Sequence, residues 1–215
     1  MNSCLVVGST GLVGKHLVKE LEASNDFDLV YVLVRNKHFT STKKIKEIVF
    51  DFTDKERLQS FDSVNHVFCC LGTTIKKAGS KERFRYVDLE LPVSFAMWAE
   101  QKMVDSYSIV TALGADSSSK IFYNQVKGEV EDEIKKCNIP KIQIFQPSLI
   151  LGKRTEIRFG EIMWKVLFKC IKPLFLGPLK KYRGIRADVI AKGMVNHLKN
   201  SQNGIRVFES HLINK

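Results

Sequence analysis

The fold of this chain is decided by residues Ser3–Gly14, SCLVVGSTGLVG, in which an apolar run passes through three glycines into a segment of helical spacing. The glycines follow the pattern G-x-x-G-x-x-G. Glycine at such a turn permits unusual backbone angles, close approach of a pyrophosphate and tight packing of helix on strand. The first-turn amides and the helix dipole then face the anion. The residues expected to contact it are Gly8, Ser9, Thr10, Gly11, Leu12, Val13 and Gly14.

Two other interpretations of the glycine turn compete with a dinucleotide site. A nucleoside triphosphate loop, G-x-x-x-x-G-K-[ST], would need glycine in place of Ser9 and a hydroxyl in place of His16, so it fails twice. A purely structural turn stays open, because only the flanking strand and helix raise this glycine pattern above chance.

Short apolar runs alternate with segments of helical spacing along the chain. This order predicts the α/β class, with a Rossmann-like doubly wound parallel sheet and helices on both faces. The predicted strands are Ser3–Val7, Leu29–Val34, Lys46–Phe52, Asn65–Leu71, Ser106–Thr111, Ile142–Phe145 and Ile205–Phe208. The predicted helices are Leu12–Ala23, Arg83–Lys102, Tyr123–Cys137 and Asp188–His197. Pro92 should kink the second of these helices or mark its true first turn.

No linker, repeat or low-complexity tract divides the chain, so we expect one NAD(P)-binding domain over residues 1–215. Residues from about 152 to 185 should form a small cap over the substrate cleft. Within them, Ile162–Phe175 is apolar except for Lys165, Lys169 and Lys172, which would form one basic stripe on a helix. A cap helix is favoured over a helix that lies on a membrane surface.

Composition limits the class of protein and its partners. The 215 residues are 44% hydrophobic, and 34 Lys and Arg against 23 Asp and Glu give a net charge of +11. This charge favours anionic partners without choosing among a nucleotide cofactor, nucleic acid, acidic lipid or simple solubility. The odd number of cysteines (4, 69, 70, 137 and 170), the lack of a leader and the lack of a run of about 18 uncharged residues predict a soluble cytoplasmic protein.

The end of the second predicted strand indicates which cofactor is preferred. An acidic residue there would bond to the ribose 2′-hydroxyl, but the chain reads Val34-Arg35-Asn36-Lys37. Asp28 lies at the opposite end of that strand. Arg35 can offer a planar fork to a 2′-phosphate, so NADP is favoured over NAD.

A hydroxyl and a tyrosine–lysine pair follow the fifth predicted strand. Tyr123 and Lys127 lie one helical turn apart on one face, and Thr111 ends the strand before them. An ammonium close to a phenol stabilises the phenolate, which permits proton transfer near neutral pH. The pattern Y-x-x-x-K is frequent by chance, and its weight comes from its order along the chain after the glycine turn and Arg35.

Other chemistries find little support. The histidines form no H-E-x-x-H and the cysteines no C-x-x-C, so we expect no metal. The serine-hydrolase pattern G-x-S-x-G and the kinase pattern H-R-D are absent too. Lysine and arginine clusters occur in separate segments rather than on one stripe, which disfavours a nucleic-acid partner.

These motifs together resemble the short-chain dehydrogenase/reductases, and within them the atypical branch of Tat-interacting-protein-like NAD(P)-binding oxidoreductases. The resemblance covers nearly the whole chain. Its motifs are Gly8–Gly14, Leu33–Arg35, Asp51–Phe52, Cys69–Thr74, Val87–Asp88, Ala112–Asp116, Tyr123 with Lys127–Glu129, and Gln146–Gly152.

The resemblance implies roles for residues beyond the glycine turn. Tyr123 would be the acid-base residue, and Lys127 would hold the nicotinamide ribose and favour the phenolate. Thr111 stands where the family usually has serine, and Gln146 where it usually has arginine. The further implied cofactor contacts are Asp51 and Phe52 beside the adenine, the loop of Leu71, Gly72, Thr73 and Thr74, and a nicotinamide platform with Pro147 and Leu149.

The expected function is NADP-dependent oxidoreduction of a small-molecule carbonyl or alcohol by hydride transfer. One alternative is an NADP(H)-binding module that senses redox state and signals to a protein partner without turnover. Another is a basic adaptor on acidic membranes or nucleic acid. The sequence identifies neither the substrate nor the oligomeric state.

Overall fold

The computed structural model describes residues 1–152 and 183–214, except for the side chains of Lys55 and Glu56. The predicted helix Ile162–Phe175, its lysine stripe and most of the predicted cap lie outside the described residues. Those expectations stay predictions.

The described residues form a seven-stranded parallel sheet and a separate pair of short strands. In chain order the strands are β1 (Ser3–Val7), β2 (Leu29–Val34), β3 (Ile45–Val49), β4 (His66–Cys69), β5 (Ser106–Val110), β6 (Lys141–Gln146), β7 (Ile150–Leu151), β8 (Ile185–Arg186) and β9 (Gly204–Glu209). The large sheet has the order β3-β2-β1-β4-β5-β6-β9. The expected Rossmann-like doubly wound fold is confirmed. Its strand order reverses between β1 and β4, the place where such sheets bind ligands at the carboxyl edge.

Helices cover both faces of this sheet. They are α1 (Leu12–Ala23), α2 (Lys55–Gln59), α3 (Ile75–Ala78), α4 (Lys81–Arg85), a π-helical turn (Tyr86–Glu90), α5 (Leu91–Gln101), α6 (Phe122–Lys135) and α7 (Ala187–Asn200). Leu17 of α1 and Met194 of α7 belong to the core on one face. Trp98 of α5 and Ile134 of α6 belong to the core on the other. Two buried layers therefore hold the carboxyl edge of the sheet in place.

The predicted helix Arg83–Lys102 is divided into three pieces around Pro92. A proline has no amide proton, so the carbonyl of Asp88, four residues earlier, gets no α-helical bond from residue 92. The amide of Leu91 bonds instead to the carbonyl of Tyr86, five residues back, as in a π-helix. This turn carries Asp88, which is buried.

Most other element bounds differ from the predicted ones by up to three residues. The short helices α2 and α3 were not predicted, since four or five residues show no helical period. The strands β7 and β8 were not predicted either; they pair Ile150 with Ile185 and Leu151 with Arg186. This pair brings together the two chain segments that flank residues 153–182.

Candidate functional site

A glycine turn follows β1 and lies against the end of β4. Gly8 has a φ of +80°, and a β-carbon there would lie 2.5 Å from the carbonyl carbon of Cys70. A β-carbon on Gly14 would collide with the carbonyl oxygen of Gly8. Both positions therefore require glycine, because any side chain would push the turn away from β4 or from α1.

The N-terminus of α1 is open to an anion. Gly11 precedes the helix without a capping side chain, and the first turn has no acidic residue. The amide of Lys15 donates to the carbonyl of Gly11 at 3.0 Å, so the amides of residues 12–14 have no partner inside the helix. Amides and dipole together fit the diphosphate of a dinucleotide.

Side chains of the glycine turn differ in their access to such a ligand. Ser9 is fully buried, and its hydroxyl donates to the carbonyl of Leu33 at 3.4 Å. Val13 packs in the core. Thr10 and Gly11 are exposed, and Leu12 is half-buried. Ser9 and Val13 could therefore contact a cofactor through the backbone only.

Two predicted cofactor residues follow neighbouring strands at the same edge of the sheet. Arg35 follows β2 and is exposed. The amide of Phe50 donates to the carbonyl of Val34 at 2.8 Å, which places the chain after β3 beside it. Asp51 is exposed and accepts bonds from the amide of Thr53 at 2.9 Å and from its hydroxyl at 2.8 Å. These bonds, the amide bond first, lower the pKa of Asp51.

Phe52 is held between aromatic neighbours. Its ring meets that of Phe50 edge-on at 5.3 Å and that of Phe95 at 6.1 Å. Its carbonyl accepts a bond from the hydroxyl of Tyr86 at 2.9 Å. The half-buried ring is thus fixed beside the predicted adenine position.

The predicted cofactor loop Leu71–Thr74 follows β4. The amide of Cys70 donates to the carbonyl of Val7 at 2.8 Å, which fixes the start of the loop against β1. The amide of Thr73 donates to Oδ2 of Asp88 at 2.9 Å. The hydroxyl of Thr74 caps α3. This loop links the glycine turn to the π-helical turn.

Tyr123 and Lys127 lie on the face of α6 that meets this loop. Lys127 is 4% exposed, and its Nζ lies 2.7 Å from Oδ1 of Asp88. Burial by itself would lower the pKa of Lys127, but Asp88 and Tyr123 outweigh burial and raise it. Tyr123 is half-buried, with its ring 5.7 Å from that of Phe84. A β-carbon on Gly72 would lie 4.0 Å from Nζ of Lys127, so the loop passes directly over this ammonium.

Asp88 was not among the predicted site residues, although the sequence carries a signal for it. Phe84, Asp88, Leu91 and Phe95 recur at helical spacing, and all four are buried. An acid on an otherwise apolar stripe needs a buried partner. The partner is Lys127, which lies 39 positions further along the chain and which no local pattern identifies.

Thr111 belongs to a second buried polar cluster, which it forms with Glu131 of α6 and with Gln146. Its hydroxyl donates to Oε1 of Glu131 at 2.7 Å. The side-chain amide of Gln146 donates to both oxygens of Glu131, at 2.9 and 3.0 Å. The single proton of the Thr111 hydroxyl is therefore used inside the protein, and donation to a substrate carbonyl would require this bond to break. The role expected for Thr111 stays a prediction.

The predicted nicotinamide platform is tied to the end of β5. The amide of Leu113 donates to the carbonyl of Pro147 at 2.9 Å. The amide of Ile185 donates to the carbonyl of Leu149 at the same distance. Pro147 is buried and Leu149 half-buried. The loops after β5 and β6 are thus bonded to each other at Leu113 and Pro147.

Comparison with known protein families identifies the family of this chain. Residues 8–138, from the glycine turn to just after α6, match a family described as NAD(P)H-binding. The chain belongs to that NAD(P)H-binding family. The resemblance to atypical short-chain dehydrogenase/reductases is confirmed by this match and by the relatives that follow.

Relatives of this NAD(P)H-binding chain cover most of its length. Protein HTATIP2 of Rattus norvegicus is 32% identical over 170 residues, which are 77% of this chain and 70% of that protein. "Protein FMP52, mitochondrial" of Debaryomyces hansenii is 33% identical over 157 residues, 72% of this chain and 69% of that protein.

Solved structures agree in fold at low sequence identity. MoeE5 in complex with UDP-glucose and NAD has a TM-score of 0.72 and 13% identity, covering 96% of this chain and 75% of MoeE5. DesIV, a dTDP-glucose 4,6-dehydratase from Streptomyces venezuelae, has a TM-score of 0.72 and 14% identity, covering 96% and 74%. These likenesses show the Rossmann-like fold of the NAD(P)H-binding family.

Proposed function

We propose that this chain is an NADP-dependent oxidoreductase that acts on a carbonyl or alcohol substrate. One observation carries the proposal. The loop after β4 touches the glycine turn at Cys70 and passes over Nζ of Lys127 at Gly72, so a phosphate site and a buried ammonium are joined by a few residues. A dinucleotide laid along that loop would reach from one to the other.

The residues present fit such a dinucleotide. The uncapped N-terminus of α1 offers amides to the diphosphate. Gly8 and Gly14 have no side chains, so the turn stays close to β4 and α1 and leaves room for the diphosphate. Lys127 would bond to the nicotinamide ribose. A bound nicotinamide supplies or accepts the hydride, which the chain's own side chains do not provide.

Tyr123 would move the proton in this reaction. Its hydroxyl would donate to the substrate oxygen during reduction and accept the proton back during oxidation. Lys127, one helical turn away and positively charged, stabilises the phenolate that remains after donation. Thr111 would orient the carbonyl only after its hydroxyl leaves Glu131.

Preference for NADP over NAD rests on Arg35. It is exposed at the end of β2, where a 2′-phosphate of a bound dinucleotide would lie, and no acidic residue stands between Val34 and Lys37. A guanidinium beside a dianionic phosphate forms charge-assisted hydrogen bonds.

We propose a cytoplasmic location for the protein. No helix among the described residues is long and apolar enough to cross a membrane. The name of the Debaryomyces hansenii relative carries the word mitochondrial, so a mitochondrial location is the competing proposal. Cell fractionation distinguishes the two.

Tyr123→Phe tests the proposed chemistry. The variant should bind NADPH nearly as the native chain does but reduce carbonyls about 10²–10⁴-fold more slowly, the range that general acid catalysis supplies. NADPH oxidation over a panel of aldehydes and ketones measures the rate. Tyr31→Phe is the matched control, because Tyr31 lies on β2, packs against Phe61 and should keep full activity.

Two outcomes would contradict the proposal. Unchanged turnover in Tyr123→Phe would remove the acid-base role of Tyr123. Tight NADPH binding by a native chain that oxidises no NADPH with any carbonyl would favour the sensor module instead, above all if NADPH changed the affinity of a protein partner.

A further inference from the structure

Two opposite charges are buried together behind the loop Leu71–Thr74. Nζ of Lys127 lies 2.7 Å from Oδ1 of Asp88, and the two side chains are 4% and 0% exposed. Oδ2 of Asp88 accepts a bond from the amide of Thr73 at 2.9 Å. One carboxylate therefore contacts both the proposed ribose-binding lysine and the loop that would line the cofactor.

We propose that Asp88 is a positioning residue for the dinucleotide, which keeps Lys127 charged at its buried place and ties it to the loop at Thr73. The identity of the ligand rests on the proposed function. The ion pair itself does not, since it is present in the described structure.

The need for Asp88 follows from the surroundings of Lys127. A lone ammonium in a buried site loses its proton rather than stay charged without a partner. Among residues 1–152 and 183–214, the titratable groups besides Asp88 that face Lys127 are Tyr123 on its own helix and Cys69 of β4. Burial raises the pKa of the Cys69 thiol, which therefore stays neutral. Glu131, one turn further along α6, has its oxygens bonded to Thr111 and Gln146.

Asp88, which pairs with Lys127, lies in the π-helical turn. The bond from the amide of Leu91 to the carbonyl of Tyr86 adds one residue to this turn of the helix. Asp88 lies on the buried stripe of Phe84, Leu91 and Phe95, so its carboxylate is held by packing on both sides. Such single π-turns are frequent at functional sites.

Asp88→Asn is the discriminating variant. It keeps the size of the side chain and an oxygen for the amide of Thr73, but it removes the counter-charge. The ratio of the NADP⁺ dissociation constant of the variant to that of the native chain should increase from pH 5 to pH 9, because Lys127 loses its proton in the variant only. The rise should be about ten- to hundredfold, the worth of one charge-assisted hydrogen bond. Taking the ratio cancels the titration of the ligand.

Two controls assign the effect to this pair. In the double variant Asp88→Asn with Lys127→Met, binding should be weak and its ratio to native independent of pH. In Glu133→Gln, the loss of an exposed carboxylate that pairs with Lys136 at 2.6 Å should change neither affinity nor pH dependence.

A measurement without cofactor tests the pair separately. In Asp88→Asn the pKa of Lys127 would fall below that of an unfolded lysine, so the unfolded chain would bind more protons than the folded one. The stability of the variant relative to the native chain should then rise with pH. Should this variant not fold, Lys127→Met serves instead. It leaves the Asp88 carboxylate buried without a counter-charge, and its stability relative to native should fall as pH rises.

These outcomes separate the two proposals. A native chain that does not bind NADP⁺ overturns the proposed function, while the stability curves still decide on the ion pair. Native binding together with a flat ratio for Asp88→Asn, or stability differences that do not change with pH, overturns the role of Asp88.

Discussion

Arg35 shows how one exposed side chain can decide cofactor choice. Arg35→Asp would place a carboxylate where a 2′-phosphate is expected. NADPH affinity should fall about ten- to hundredfold through the lost charge-assisted bond, and the preference over NADH should disappear or reverse. Fluorescence titration with both nucleotides measures it. Lys37→Asp, the same charge change two residues later, should have little effect. Equal affinities for NADPH and NADH in the native chain would refute the NADP preference.

The hydrogen bond from Thr111 to Glu131 makes the expected role of Thr111 testable. If its hydroxyl serves Glu131, Thr111→Val should destabilise the fold by about 1–3 kcal/mol, because a buried carboxylate loses a donor. Thr111→Ser should be close to native in stability. Urea unfolding measures both, and carbonyl reduction is followed in parallel. A Thr111→Val chain of native stability but low turnover would instead support the carbonyl-orienting role.

Residues whose function depends on local backbone geometry could be predicted from the sequence, as Gly8 and Gly14 show. Residues whose function depends on a distant partner could not. Asp88 lies among apolar residues and Glu131 among other charged residues, and their partners lie on other elements. Among the predicted contacts, Ser9 illustrates the limit of a motif, since the motif places the residue but not the direction of its side chain.

The π-helical turn directly follows the short helix α4. Ser80 caps α4 by accepting a bond from the amide of Arg83 at 3.1 Å. Ser80→Ala should destabilise the fold by about 1 kcal/mol, and Ser80→Asp should restore it. Thermal unfolding followed by circular dichroism checks this. Ser60→Ala is the control, because that hydroxyl only donates to the carbonyl of Arg57. Equal melting temperatures for Ser80→Ala and Ser60→Ala would show that the cap contributes nothing.

Elements of sufficient length could be predicted because their period is visible, as β1 and α1 show with bounds that match in full. The spacing predicts one helix from residue 83 to residue 102 in which Pro92 marks a kink or the true first turn, and in the structure Pro92 lies in the first turn of α5. The spacing of the apolar residues in this segment fits an α-helix and an α-helix with one inserted π-turn almost equally well. The spacing alone therefore does not predict the bond from the amide of Leu91 to the carbonyl of Tyr86 that forms the π-turn.

At the scale of the whole molecule, protonation of the half-buried His66 opposes folding in acid. Burial lowers the pKa of His66, whose ring nitrogen lies 2.9 Å from the hydroxyl of Ser106. Between its lowered pKa and its ordinary value the unfolded chain binds more protons, so stability should fall as pH drops below about 6.5. His66→Gln should reduce this loss, and His38→Gln, at an exposed histidine, should not. Urea unfolding at pH 7, 6 and 5 would contradict this if the native and His66→Gln slopes agreed.

The pairing of β7 with β8 allows the chain between these strands to change without changing the large sheet. Two residue pairs join the chain before residue 153 to the chain after residue 182, so the two ends of the intervening segment are held together. Lengthening a connection between fixed ends costs little closure entropy, about 0.6 kcal/mol for each doubling of its length. Insertions, deletions and wholesale replacement between these ends would therefore hardly burden the nucleotide-binding half. If the predicted substrate cap lies there, evolution or a protein engineer could exchange it as a module while the rest of the molecule is left alone.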